Sequence, residues 1–109
     1  MDLLKGTLDV LILKTLSWGP LHGYAVSKSI RTLTGETFSV EEGALYPALR
    51  RLEKKGLVKA AWGRTDTGRD AKFYTLTPQG SKQMDGEVAS WGRYVEAMSR
   101  VLGASGPAT

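Results

Sequence analysis

The sequence predicts a mainly α domain with a small β-hairpin: a winged helix-turn-helix body followed by a long C-terminal helix. Three observations predict it. Residues 41–55 place Leu45, Leu49 and Leu52 on one helical face, spaced four and three, and stop at Gly56, since glycine readily takes the left-handed turn that ends a helix. Residues 57–63 and 72–77 are two extended runs separated by a polar, glycine-containing stretch at 64–71, the pattern of a hairpin. Beyond Pro78, the residues Met84, Val88, Trp91, Val95, Met98 and Leu102 recur at alternating spacings of four and three, a heptad seam.

The remaining elements follow in order. Residues 3–17 read as a first helix, in which Leu3, Leu4, Leu8, Leu11, Ile12, Thr15 and Leu16 form one broad face while Val10 and Leu13 add apolar groups on another. A helix apolar nearly all round is covered on two sides, and in a small domain the second cover is a neighbouring subunit. Trp18, Gly19 and Pro20 end it. Residues 22–34 form a second helix with Tyr24, Val26, Ile30 and Leu33 as its apolar members, and residues 37–40 form a short extended piece. Ser39 is the expected N-cap of the third helix, with Glu41 and Glu42 favourably placed in its first turn. Thr77 and Pro78 open the last helix as N-cap and first-turn residue. The chain divides into a winged-helix domain at 1–80, a C-terminal dimerisation helix at 81–103 and a disordered tail at 104–109.

Composition narrows the function. The chain of 109 residues suffices for one domain. Without cysteine there is no disulfide, thiolate metal site or cysteine nucleophile, and a single histidine, His22, leaves the usual imidazole arrangements out of reach. No catalytic grouping, metal site or cofactor is expected, and the glycines fall at caps and turns rather than in a phosphate-cradling loop. The leading residues are interrupted by Lys5, Asp9 and Lys14 and are followed by no cleavage-like site, and no run is long enough to span a membrane, so a cytoplasmic location is expected. His22, at the start of the second helix, reads as a turn cap.

The net charge is +4, and residues 41–80 hold +3 of it. That excess lies in the central segment that contains the third helix, whose outer side carries Tyr46, Arg50, Arg51, Lys54 and Lys55. A short helix with one buried side and one basic, aromatic side fits the DNA major groove, with residues near its start closest to the bases and its cations on phosphates. The expected DNA-binding residues are therefore Ser39, Gly43, Tyr46, Pro47, Arg50, Arg51, Lys54 and Lys55, joined by Arg64, Arg69 and Lys72 of the hairpin. For Tyr46, burial against the second helix is the competing expectation. Asp66 and Asp70 oppose attraction at the hairpin tip. Leu8, Leu11, Met84, Val88, Trp91, Val95, Met98 and Leu102 are the expected dimer interface, and Trp91, Val95 and Met98 also suit a flat hydrophobic or aromatic effector. A winged helix that binds a ligand or another protein without using DNA is the alternative.

Residues 4–13 (LKGTLDVLIL), 19–24 (GPLHGY) and 43–57 (GALYPALRRLEKKGL), with Gly68, Arg69 and 73–80 (FYTLTPQG), together resemble the PadR family of transcriptional regulators over about residues 4–80. The resemblance implies a homodimeric regulator, usually a repressor, that binds double-stranded DNA and releases its operator when a small molecule binds. A single helix after residue 80 is similar to the family's compact branch. The chain departs from the family at Asp70 and Ala71, where wings are commonly more basic, which shifts the expected DNA contact towards the helix around Tyr46.

Overall fold

A computed structural model describes residues 1, 3–4 and 6–108; Asp2, Lys5 (within the expected first helix) and Thr109 (the end of the expected tail) lie outside the described residues. Its elements are α1 (Thr7–Leu16), β1 (Leu21–His22), α2 (Gly23–Leu33), α3 (Glu42–Lys54), β2 (Val58–Arg64), β3 (Asp70–Leu76) and α4 (Pro78–Leu102). The three strands form one antiparallel sheet in the order β1-β3-β2. This is a mainly α winged-helix fold with a small hairpin.

The core lies where α1, α2 and α3 meet the base of the sheet. Ile12, Leu13, Val26, Leu45, Ala48, Leu49 and Leu52 are fully or almost fully buried there, with Val58 and Tyr74 closing it from the strands. The leucine row predicted for the third helix is the row that faces inward. Gly56, at φ +74°, ends α3 through a Schellman motif. The Leu57 N–H donates to the Leu52 carbonyl (3.0 Å) and the Gly56 N–H to the Glu53 carbonyl (3.0 Å), while Leu52 and Leu57 are both buried.

Thr77 joins α3 to α4. Its hydroxyl donates to the Gly56 carbonyl (2.7 Å) and accepts from the Gly80 N–H (3.0 Å), capping α4 as expected. The approach is close: a Cβ on Gly80 would stand 1.9 Å from the Leu57 carbonyl oxygen.

Several expectations need correction. The first helix starts at Thr7, after Gly6 at φ +85°, so Leu3 and Leu4 precede it and Leu4 is exposed. In α2 only Val26 and Ile30 of the four apolar positions are buried; Tyr24 and Leu33, near its two ends, project past the core. Residues 37–40 join no sheet, although Val40 is buried, and β1 supplies the third strand instead, pairing Leu21 with Tyr74 and His22 with Phe73. Ser39 does not cap α3: the extended residue before that helix is Glu41, and no side chain accepts from its first turn. Met84 is not on an open seam, since α4 still lies against the body at that point and Met84 belongs to the core at 7 % exposure. Residues 104–108 are exposed and form no helix or strand.

Candidate nucleic-acid interface

An open groove of about 1030 Å³ separates α3 from the hairpin. On one wall stand Tyr46 and Arg50 of α3; on the other stand Trp62, Arg69 and Lys72 of the wing, with His22, Tyr24 and Lys28 across its end.

Each wall has a local cause. Side chains of a strand alternate between faces, so Val58, Ala60, Trp62 and Arg64 share one side of β2. Their partners across the ladder are Leu76, Tyr74, Lys72 and Asp70. At its base this face packs on the core through Val58 and Tyr74; further out it has outrun the helices, and Trp62 and Lys72 stand over open space. The Lys72 ammonium reaches back to Glu53 of α3 at 3.8 Å, and Arg64 pairs with Asp70 across the strands at 3.7 Å. The turn at 65–69 is held by the Thr65 N–H donating to the Arg69 carbonyl (2.8 Å) and by Gly68 at φ +81°.

Tyr46 is partly buried, as the competing expectation had it, without being closed off from solvent. Its ring is half-buried against the core and still lines the groove. Gly23 makes that seat possible, because a Cβ there would stand 2.7 Å from the Tyr46 ring. Beside it, burial pushes the Tyr74 phenol above its ordinary value of 10.0, aided by Glu53 and Tyr46 and opposed by Arg50, so this hydroxyl remains a neutral hydrogen-bonding group. His22 behaves as a turn residue: its Nδ1 accepts from the Ala25 N–H (3.3 Å), and its ring meets Phe73 edge-on at 5.4 Å.

Gly43 is exposed in the first turn of α3, and Pro47, in the second turn, is half-buried. A Cβ on Gly43 would meet nothing within 4 Å, so packing within the chain does not demand glycine there. Pro47, inside the helix, lacks the N–H that would otherwise bond the Gly43 carbonyl, so that oxygen is without its usual helical donor.

The structure divides the cations that the sequence grouped together. Arg50 faces the groove, and Lys54 is exposed at the end of α3. Arg51 instead turns towards α1, where its guanidinium bonds Asp9 at 3.1 Å. Lys55 lines a separate crevice with Asp9, Gln79 and Glu87. Trp62 and Lys28 are groove residues that the sequence reading missed. An aromatic four positions beyond Val58, on the same strand face as that buried residue, was the available signal for the first, and Lys28 carried none.

A second surface lies on the outer half of α4. Val88, Val95, Met98 and Leu102 are exposed, the last at 75 %, and the Trp91 ring meets Tyr94 edge-on at 5.5 Å. Leu8 and Leu11 of α1 are half-buried beside the core. Trp91, Val95 and Met98 border neither the groove nor the crevice at Lys55. No helix among the described residues is long and apolar enough to cross a membrane.

Comparison with known proteins follows the same lines. The profile of the Transcriptional regulator PadR-like family matches residues 12–86. A transcriptional regulator from Clostridium thermocellum superposes with a TM-score of 0.79 at 33 % identity, over 88 % of this chain and 90 % of that one. A PadR-like transcriptional regulator from Bacillus cereus gives a TM-score of 0.81 at 31 % identity, covering 93 % and 96 %. Bacillus subtilis PadR, solved in complex with operator DNA, gives 0.66 at 27 % identity, over 74 % of this chain and 46 % of that one. In sequence, that negative transcriptional regulator is 29 % identical over 77 residues, which span 42 % of its own length.

Proposed function

This chain belongs to the PadR-like family of transcriptional regulators, and on that premise we propose that it binds operator DNA as a homodimer and represses the genes beside it. The observation that carries the reading is the groove between α3 and the wing, lined by Tyr46 and Arg50, with an exposed and uncrowded Gly43 one turn before Tyr46 on the helix. The start of α3 enters the major groove with Gly43, Tyr46 and Pro47 nearest the bases. Arg50 and Lys54 hold phosphates on one side and Arg69 on the other, while Arg64 and Lys72, paired with Asp70 and Glu53, add charge at longer range; Ser39 is exposed before the helix. Arg51 and Lys55 contribute charge at longer range, since they point towards α1 and α4.

Dimerisation uses the stripe of exposed Val88, Val95, Met98 and Leu102 with the half-buried Trp91, and Leu8 and Leu11 alongside. Two recognition helices related by a two-fold axis then meet half-sites about 34–36 Å apart, one turn of DNA. Trp91, Val95 and Met98 from both copies surround the axis and form a slot for a flat hydrophobic or aromatic effector, whose binding lowers affinity for the operator. Repression is supported by the negative regulator from Bacillus subtilis among the relatives.

Duplexes selected by the protein from a random pool, titrated at several salt concentrations, test the reading. About six phosphate contacts per dimer give a log–log slope near −5. Failure to select any sequence, or an affinity indifferent to salt, refutes it. The effector slot is tested by Trp91 fluorescence against a panel of aromatic cations and phenols, where no response from any of them removes the slot from the proposal.

A further inference from the structure

The wing of this protein is poorly equipped to hold DNA by charge. From residue 64 to residue 72 it carries Arg64, Arg69 and Lys72 against Asp66 and Asp70. Arg64 is engaged by Asp70 at 3.7 Å and Lys72 by Glu53 at 3.8 Å, which leaves Arg69 as the cation outside these pairs. Yet the wing places its largest apolar side chain on the groove side. Trp62 is 75 % exposed, sits directly across the ladder from Lys72, and lines the groove opposite Tyr46 and Arg50. The core makes no use of it, and Tyr24, 65 % exposed, faces the same space from the start of α2.

We infer that Trp62 is a DNA contact, laying its indole against the deoxyribose of the strand that runs between α3 and the wing, so that the wing holds DNA by apolar contact more than by ionic contact. This rests on the proposed DNA-binding function and adds to it a residue and a type of force. An indole offers a broad apolar surface with a single N–H donor at its edge, suited to a sugar face with a phosphate oxygen beside it. The occupant is set by charge, because Lys28, Arg50, Arg69 and Lys72 line the groove against Asp66 and Asp70, and the positive excess favours a polyanion over a neutral peptide. An apolar contact releases no counterions, so its loss changes affinity without changing the response to salt.

The test compares the wild-type protein with Trp62→Ala, Trp62→Phe and Arg50→Ala on one duplex selected by the wild type from a random pool. Trp62→Ala is expected to weaken binding about tenfold with the salt slope unchanged, and Trp62→Phe to recover most of the loss. Arg50→Ala is expected to make the slope about one unit shallower per protomer. Unchanged circular dichroism and melting of Trp62→Ala show that the fold is intact. Fluorine NMR of the wild type labelled with 5-fluorotryptophan, its Trp62 line identified by its absence from Trp62→Phe, reads the contact without any truncation. That line should move on saturation with DNA while the Trp18 line stays. Affinity of Trp62→Ala within twofold of wild type, a slope altered as in Arg50→Ala, or an unmoved Trp62 line overturns the inference while leaving DNA binding intact. A wild type that selects no DNA overturns both.

Discussion

Helix α3 and the outer half of α4 carry the same apolar periodicity and meet opposite fates. In α3 the row at Leu45, Leu49 and Leu52 is buried almost completely, held under α1 and α2 and closed by the sheet. In α4 the row survives only as far as Met84 before the body ends; Val88, Val95, Met98 and Leu102 continue it into solvent. The shape of the molecule records the difference. Its radius of gyration is 16.3 Å and its longest extent 61 Å, against about 13 Å expected for a compact domain of this length. A period of three and four therefore reports that a face exists and not what covers it. For α3 the cover is the same chain, and for α4 we assign a second copy.

Five changes would break or sharpen that contrast, taken from the largest effect downward. Replacing Val95 and Met98 together by glutamate puts four carboxylates at the proposed two-fold seam and should abolish dimerisation in sedimentation analysis, with helix content retained. A dimer that persists would assign the α4 row another cover. Leu49→Ala, at a fully buried position in α3, should cost about 3 kcal/mol in denaturant unfolding. Gly80→Ala forces a methyl into the Leu57 carbonyl and should cost about 2 kcal/mol by the same measurement, because the backbone itself must move. His22→Ala removes the α2 cap and the edge contact with Phe73, for about 1 kcal/mol. Arg51→Ala breaks an ion pair whose arginine is half exposed and should shift stability by less than about 0.5 kcal/mol, a loss indistinguishable from zero in many such pairs.

How far each region was legible from sequence follows from the same contrast. The third helix was readable because its pattern, its glycine stop and its neighbouring strand all agree locally, and the Schellman motif at Gly56 is that agreement in hydrogen bonds. Strand β1 was not readable. Two residues carry no period, and Leu21 and His22 are a strand only because the free edge of β3 lies beside them. The Ser39 cap failed for a related reason: several residues before a helix can serve as its boundary, and the turn at 34–38, where the Phe38 N–H donates to the Thr34 hydroxyl, sets where α3 begins. In the candidate site, Tyr46 and Arg50 were placed correctly on an open face of α3, whereas Arg51 and Lys55 were not separable from them by type or spacing. Their direction depends on where α1 and α4 lie, which is tertiary information. Trp62 was overlooked because an aromatic in a strand is ordinarily taken as core, and only the length of the hairpin beyond the helices leaves this one outside.

The joint at Thr77 has a mechanical consequence. With its hydroxyl tied to the end of α3 and to the first turn of α4, and with Gly80 pressed on Leu57, the last turn of α3 and the first of α4 behave as one welded corner. Helix α4 extends about 37 Å from that corner, so it is a lever arm with the body of the protein at its end. A tilt of about 5° at the far end sweeps the corner through about 3 Å, comparable to the rise of one base pair. In a two-fold assembly both corners move, and the distance between the paired α3 helices becomes a readout of the angle at which the two levers cross.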